Sequence, residues 1–417
     1  MVKFNISHLI NKSAANLWKK NYSLEYFFNV KQHQHKILDI IGKNNTPIFI
    51  GDLNIVIDRH QQLHQKLSRH WGDQHQIFFS FKTNYSLAEN NLLKKLDIGA
   101  EVVSEKEYLL AKKIGYKKII YNGPYKTRSS YLKAIKDRTI IHIDNFSEID
   151  LIKRLPSSYR KRAVFGLRIS TKYHHRIPRS RFGFSIDNHE ANRALTLLRE
   201  MKVNIQSLHI HLGTDVYNLN HYEKAAQNMA NFIQTNSLFS IKYLDFGGGF
   251  PAHGRPPYGR RNWPAYKIEK YVQAISSQLR PLWGEKCPTL ILEPGRYLID
   301  DAIILISEII DSKINNSKQI VMANSTVIMM PTTYYRPQII KSFSSKIYPN
   351  LKKEIPTKIF GASCKEDDLL YEGKMARAKI GDFLIHFNAG AYNENMTSNF
   401  IFKKPQTVFI SEFDRRL

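Results

Sequence analysis

Thr139-Ile-Ile-His-Ile-Asp144, then a polar stretch, then Ala163-Val-Phe-Gly-Leu-Arg-Ile-Ser170: these two runs set the reading of the fold. Each is short, rich in β-branched residues and almost continuously apolar. A strand covered on one face alternates apolar and polar residues. A strand covered on both faces does not, and parallel strands joined by helices are covered on both. Working outward, the same unit recurs. Upstream lie Gln76-Ile-Phe-Phe-Ser-Phe-Lys82, Gly99-Ala-Glu-Val-Val-Ser104 and Lys118-Ile-Ile-Tyr-Asn-Gly123. Downstream lie Ser207-Leu-His-Ile-His-Leu-Gly213, Lys242-Tyr-Leu-Asp-Phe-Gly-Gly-Gly249 and Thr289-Leu-Ile-Leu-Glu-Pro-Gly-Arg296. The intervening segments suit helices; 105–114 and 188–202 carry apolar residues at helical spacing. Eight such units fit an α/β protein built as a (β/α)8 TIM barrel, with an open doubly wound sheet as the alternative.

Past Arg296 the texture changes. Segments 302–314, 318–327, 357–360, 382–387 and 406–410 read as short strands with turn signals and few helices, which predicts a C-terminal antiparallel β domain. The expected organisation is an N-terminal segment over 1–45 joining the β domain, a barrel over 46–296, and the β domain over 297–417. Thr46-Pro-Ile-Phe-Ile-Gly-Asp52 reads as a strand at the start of the barrel span.

Composition narrows the class. The chain has 417 residues, with 22 Tyr and 23 Phe, too aromatic for full-length disorder. Two cysteines, Cys287 and Cys364, make neither a disulfide framework nor, without histidines, a zinc site; no metal is expected. The start, Met1-Val-Lys-Phe-Asn-Ile-Ser7, lacks the apolar run of a secretory signal, and no stretch approaches a membrane span. A cytoplasmic protein with no membrane partner is expected. The net charge of +26 permits nucleic-acid binding. No helix-turn-helix, zinc finger or aromatic RNA-binding pattern accompanies it, so nucleic acid is not expected as a partner. An anionic small substrate exploits the same field.

Chemistry in a parallel barrel collects where strands end. Those ends carry Lys82, Glu101, Asn122, Asp144, Arg168, His211, Gly247-Gly248-Gly249, and Glu293 with Arg296. Lysine is seldom buried without a purpose; desolvation turns its amine into a nucleophile toward a carbonyl, the alternative being a lysine reaching to the surface. The glycine turn suits a phosphate, and Arg296 in Glu293-Pro-Gly-Arg296 can grip the same group. An amine for an aldehyde, a phosphate cradle and an acidic group together spell pyridoxal 5'-phosphate. Asn122 and Asp144 read as supporting or capping groups, His209 as a core histidine deeper in the barrel, and Cys287 as structural.

Seven motifs, in order, carry a resemblance: Phe79-Ser-Phe-Lys-Thr-Asn84, Gly99-Ala-Glu-Val-Val-Ser104, His209-Ile-His-Leu-Gly213, Asp245-Phe-Gly-Gly-Gly-Phe-Pro251, Glu293-Pro-Gly-Arg296, Gly361-Ala-Ser-Cys364 and Gly390-Ala-Tyr392. The chain resembles the fold-type III pyridoxal-phosphate decarboxylases, which share the alanine racemase-like barrel and include the diaminopimelate, ornithine and arginine decarboxylases. The resemblance implies that Lys82 binds the cofactor aldehyde and that His211 stacks on its ring. It implies that Thr214, Gly247, Gly248, Gly249, Gly295, Arg296 and Tyr392 hold the phosphate, with Arg168 and Glu101 near the ring. Glu293 would keep the pyridine nitrogen protonated. Cys364, from the partner subunit of a homodimer with active sites at the interface, would return a proton to the substrate carbon. Alanine racemase itself is resembled less, since it lacks the Glu-Pro-Gly-Arg and Cys364 motifs. Relatives that bind the cofactor without catalysis usually lose the lysine or the cysteine, and both remain here.

One departure concerns the substrate. Where the ornithine and diaminopimelate enzymes place an acidic residue after the cysteine, this chain has Lys365, which repels a distal cation and attracts a distal anion; Glu366 or Asp367 can counter it. The loop Lys172-Tyr-His-His-Arg176-Ile-Pro-Arg179-Ser-Arg181, the arginines 255, 260 and 261, and Arg336 add positive charge. Lys365, Asp367, Arg181 and Arg336 are the candidate substrate-binding residues. The expected substrate is an amino acid with an anionic far end: the 3-amino-3-carboxypropyl group of a peptide-nucleotide antibiotic of the microcin C type, or a citryl-amino acid of siderophore synthesis. Diaminopimelate is the housekeeping alternative.

Overall fold

The computed structural model describes residues 31–172, 180–252, 266–284, 286–336, 338–343 and 354–410. The N-terminal thirty residues, most of the loop after Lys172 and the arginines at 255, 260 and 261 therefore lie outside the described residues. The chain divides into two compact units. One holds Ile57–Pro251 and Tyr266–Tyr297; the other takes the described residues up to Val56 and from Leu298 onward. No described helix is long and apolar enough to cross a membrane.

In chain order the strands are β1 (Ile48–Asp52), β2 (His75–Ser80), β3 (Gly99–Val102), β4 (Ile119–Tyr121), β5 (Ile140–Ile143), β6 (Val164–Ser170), β7 (Phe184–Ser185), β8 (Ile205–Ile210), β9 (Tyr243–Asp245) and β10 (Thr289–Leu292). Every pairing among β2–β6 and β8–β10 is parallel, and β5–β6 closes the ring into an eight-stranded barrel. All eight are the strands expected from the apolar runs. The two-residue β7, paired to Ile169 and Ser170, escaped that reading because two residues carry no period.

Several helices start where a short polar side chain can take an orphan amide. Ser104 accepts from Glu107 N at 3.2 Å and Glu107 returns the favour to Val103 N at 2.8 Å, a reciprocal cap on helix Glu105–Ile114. Thr127 and Asn145 cap the helices Arg128–Lys136 and Phe146–Lys153 in the same way.

Alternation along the strands builds layers in the barrel. Phe78, Ile120, Ile140 and Ile291 form one apolar cluster, with Val164 and Tyr243 against it. Two residues further along the same strands, on the same face, stand Ser80, Asn122, His142, Glu293, Gly166 and Asp245. An apolar floor thus underlies a polar layer. Gly166 makes room for it: a Cβ there would sit 2.3 Å from His142 Cδ2 and 2.8 Å from Ser207 Cβ.

The second unit adds β11 (Ile303–Asn315), β12 (Lys318–Ala323), β13 (Ile340–Phe343), β14 (Glu354–Gly361), β15 (Leu369–Ala376), β16 (Phe383–His386) and β17 (Thr407–Ile410). They order as β13-β16-β11-β12-β14-β15 around a core of Ile309, Val321, Ile359, Leu370 and Leu384. The expected antiparallel character holds for most pairs, but β12–β14 and β1–β17 are parallel. The barrel boundary also needs correction. β1 belongs to this second sheet, between β11 (Ile48↔Ile306) and β17 (Phe49↔Thr407), so the barrel does not start at residue 46. All five β1 residues are buried. A strand buried along its whole length does not say which sheet it joins, and the barrel closes on eight strands without it. Gly51 suits the new place, lying against the Phe409 ring where a Cβ would come within 2.6 Å.

Candidate active site

The barrel unit brings most of the expected residues to the carboxyl ends of its strands. Lys82 sits on the short turn Phe81–Thr83 that leaves β2. Asn84, next in the motif, caps the following helix through Leu87 N at 2.7 Å. Lys82 Nζ donates to Glu101 Oε2 at 2.7 Å; the lysine side chain is 35% exposed and the glutamate 1%. The expectation of a desolvated amine is therefore corrected. Lys82 is aimed by an ion pair with a buried carboxylate and remains open to an incoming carbonyl. Ser80 donates to the same Glu101 oxygen.

Asn122 is more than a cap. From the end of β4 its amide donates to Glu101 Oε1 at 3.1 Å and to Glu293 Oε1 at 2.7 Å, while its carbonyl meets His142 Nδ1 at 2.6 Å. One neutral side chain thus ties together the two carboxylates singled out in the sequence. Glu293, just past β10, is 2% exposed, and burial pushes its carboxyl above the ordinary range, with Lys82 and Asn122 pulling it back. His209 is buried as expected, with Nε2 3.7 Å from Glu293 Oε2 and its ring stacked on His142 at 4.7 Å. Burial holds both imidazoles well below their usual pKa, so both are neutral.

The glycine turn is required by its conformation. Gly247 and Gly249 have φ of +57° and +92°. A Cβ on Gly248 would come within 2.5 Å of the Glu293 carbonyl oxygen. Gly248 N donates to His211 Nδ1 at 3.2 Å, which orients this half-buried imidazole. Gly295 presses on the lysine turn, where a Cβ would meet Thr83 Oγ1 at 2.1 Å. Arg296 is buried with its Nε 3.2 Å from Asp215 Oδ1, so its guanidinium ties the turn after β10 to the segment that holds half-buried Thr214. Asp144 is likewise an ion partner, with Arg168 Nη1 at 2.7 Å.

Arg181 is exposed, its guanidinium 4.2 Å from the Phe182 ring centroid. The other candidates lie in the second unit. Cys364 is exposed, in the turn after β14. Buried Asp368 builds that turn: it accepts from Val327 N at 2.7 Å and Ser363 N at 3.1 Å, and Ser363 Oγ donates to it as well. Lys365 Nζ is drawn onto Asp367 and lies 5.7 Å from the Tyr334 ring centroid. Arg336 does not stand on an open rim: it is 4% exposed, with Nη1 3.2 Å from buried Asp300. A guanidinium inside a sheet unit needs such a carboxylate, which explains the departure from its expected substrate role. Tyr392 is half-buried at φ +63°. Asn122 was read only as a supporting or capping group, and Asp215, Asp245 and His142 were not read as site residues. Their signal was the period of two on a strand already carrying a named residue, or adjacency to Thr214.

A parallel barrel that sets one accessible lysine, an oriented imidazole, a buried carboxylate and two glycine turns at its strand ends has the donor set of a pyridoxal-phosphate enzyme. The amine suits the aldehyde, the carboxylate the ring nitrogen, and the turns of Gly247–Gly249 and Gly295 the phosphate. Comparison with known proteins gives the family. Residues 53–300 match the pyridoxal-dependent decarboxylase, pyridoxal binding domain, and residues 296–390 match the pyridoxal-dependent decarboxylase, C-terminal sheet domain. The chain belongs to this family and is a pyridoxal-phosphate-dependent amino acid decarboxylase. The diaminopimelate decarboxylase of Methanocaldococcus jannaschii is 25% identical over 90% of this chain and 88% of its own length. That of Aquifex aeolicus is 26% identical over 85% and 84%. The crystal structure of the M. jannaschii enzyme superposes with a TM-score of 0.78 at 24% identity, covering 90% of this chain and 89% of that one. An arginine decarboxylase of Paramecium bursaria Chlorella virus, bound to agmatine, shares the fold at a TM-score of 0.76 and 17% identity over 90% and 100%.

Proposed function

We propose that this decarboxylase removes the α-carboxylate from an amino acid whose far end is anionic, with the 3-amino-3-carboxypropyl group of a peptide-nucleotide as the leading case. Bound pyridoxal phosphate supplies the ring that accepts the electron pair left as CO2 departs. Lys82 holds its aldehyde and Glu293 meets its ring nitrogen. His211 covers one face, with Glu101 and Arg168 alongside. Thr214, Gly247–Gly249, Gly295, Arg296 and Tyr392 take the phosphate. Cys364, supplied by the second copy in a homodimer, returns a proton to the α-carbon.

The observation that carries the substrate reading is Lys365, directly after Cys364. Its ammonium is held by exposed Asp367, and an exposed pair of this kind opens at little cost. A phosphate or carboxylate on the substrate can displace Asp367, whereas a distal ammonium gains nothing from the lysine. A citryl-amino acid satisfies the same rule. Diaminopimelate is the second reading, favoured by the relatives named above and by Glu366 and Asp367, which leave the turn acidic overall. Its own far end carries both an ammonium and a carboxylate. The test is CO2 release from aminocarboxypropyl nucleotides, citryl-amino acids, diaminopimelate, lysine and ornithine, with wild type and Asp367→Asn. Anionic-tailed substrates should lead, and the variant should lower their KM. Preference for diaminopimelate, lysine or ornithine would discard the anionic-tail reading.

A further inference from the structure

The polar layer of the barrel contains a second acid that the site as described does not use. Asp245 ends β9, and its register partner is Ile291 of β10. Glu293 lies two residues beyond Ile291, on the same face, so the two acids are neighbours inside the ring. Asp245 is fully buried. Its Oδ1 accepts from Gly247 N at 2.8 Å, which braces the glycine turn. Among the described residues its Oδ2 has no N–H or O–H donor and lies 3.9 Å from His142 Nδ1, and burial, with the neighbouring Glu293 carboxyl, pushes the Asp245 carboxyl well above the ordinary range.

The surrounding charges decide what such an oxygen must be. The cations of the layer are committed: Lys82 to Glu101 and Arg168 to Asp144. Lys126, nearby, is held by Glu148. His142 and His209 are neutral. Among the described residues no lysine or arginine lies within ion-pair distance of either Asp245 or Glu293. Lys82 and Arg168 favour charge on Glu293 from a distance, no cation does so for Asp245, and two adjacent buried carboxylates with no cation between them favour keeping one proton. Glu293 has an outside donor in Asn122 at 2.7 Å, which stabilises its charge, whereas Asp245 Oδ2 has none.

We infer that Asp245 is a protonated positioning residue: its carboxylic O–H donates to Glu293 while its other oxygen anchors the glycine turn through Gly247 N. One neutral acid then links the group proposed for the ring nitrogen to the turn proposed for the phosphate, and fixes the negative charge on Glu293. The inference rests on the reading of Glu293 given above and adds the residue that sets its charge.

The test uses the full-length protein carrying its cofactor, with Asp245→Asn, Asp245→Ala and Glu293→Gln. Asparagine keeps both hydrogen bonds and cannot ionise. Infrared spectra at neutral pH should show a protonated-carboxyl C=O band in wild type that vanishes in D245N. Turnover of D245N should stay within about threefold of wild type; D245A should lose tenfold or more in kcat with KM little changed. Thermal melting checks that both variants fold. No such band in wild type, or a band that survives in D245N, overturns the inference. So does a D245N loss as deep as that of D245A, because an anion would then be what matters at 245. If E293Q turns over at the wild-type rate while the infrared result holds, the ring-nitrogen reading falls and the proton on Asp245 stands.

Discussion

Asn122→Ala removes one side chain that serves two carboxylates. Its amide donates at 3.1 Å to Glu101 and at 2.7 Å to Glu293, and the residue is 3% exposed. Hydrogen bonds to charged acceptors contribute about 1.5–3 kcal/mol each, so the gross loss is about 3–6 kcal/mol. The space left by the amide suits one water with several polar partners, and such a water restores about half of a lost bond. The net effect is then about 1.5–3 kcal/mol. If Glu101 aims Lys82 and Glu293 serves the ring, that loss appears in kcat/KM as a drop of roughly 10–150-fold. Asn122→Asp sharpens the test. It places a third carboxylate between two others, so it should be worse than alanine although it is nearly isosteric. The assay is steady-state CO2 release, with thermal melting run in parallel to separate catalysis from folding. An N122A enzyme within threefold of wild type, or N122D more active than N122A, would refute the claim that this amide holds the two acids in working order.

Further expectations concern single contacts. Cys364→Ala should leave the visible absorbance of the bound cofactor intact yet cripple turnover or divert the returning proton; full rate with one unchanged product would remove Cys364 from the mechanism. Gly295→Ala forces a methyl against Thr83 Oγ1, an overpacking worth about 1–3 kcal/mol. It should weaken cofactor affinity in a fluorescence titration, with Thr83→Ala restoring part of it; unchanged affinity would contradict the tight turn. His386 is fully buried, with Nε2 2.8 Å from Ser307 Oγ, and burial lowers its pKa from 6.5 to about 3. The fold favours its neutral form, so the unfolded chain binds the extra proton below pH 6.5. Its contribution is complete above that pH and is lost progressively as pH falls toward 3, by roughly 1 kcal/mol per unit. Denaturant melts from pH 7 to 4 should show a shallower acid loss in His386→Gln; an identical slope would mean that this histidine does not report on folding.

Much of this protein was legible as a string of residues. Eight buried strands announce themselves by short, mostly apolar, β-branched runs, because a strand covered on both faces carries few polar residues. The glycines of 247–249 and 295 mark turns whose neighbours leave no place for a side chain. Lys82, Glu101, His211 and Glu293 could be named because each closes such a run, where a barrel presents its chemistry. Sequence alone did not assign β1, since the Ile48-Phe-Ile50 run looks like that of a barrel strand and its membership depends on which edge has an unpaired ladder. Nor did it reveal that Arg336 and Arg296 are bound to Asp300 and Asp215, acids that are distant in one case and overlooked in the other. The bridge of Asn122 between Glu101 and Glu293, and the acid pair of Glu293 with Asp245, arise only when the ring closes. Closure brings Asn122 and Glu293, 171 positions apart, onto one polar layer, and there low dielectric and the supply of hydrogen-bond donors decide which groups carry charge.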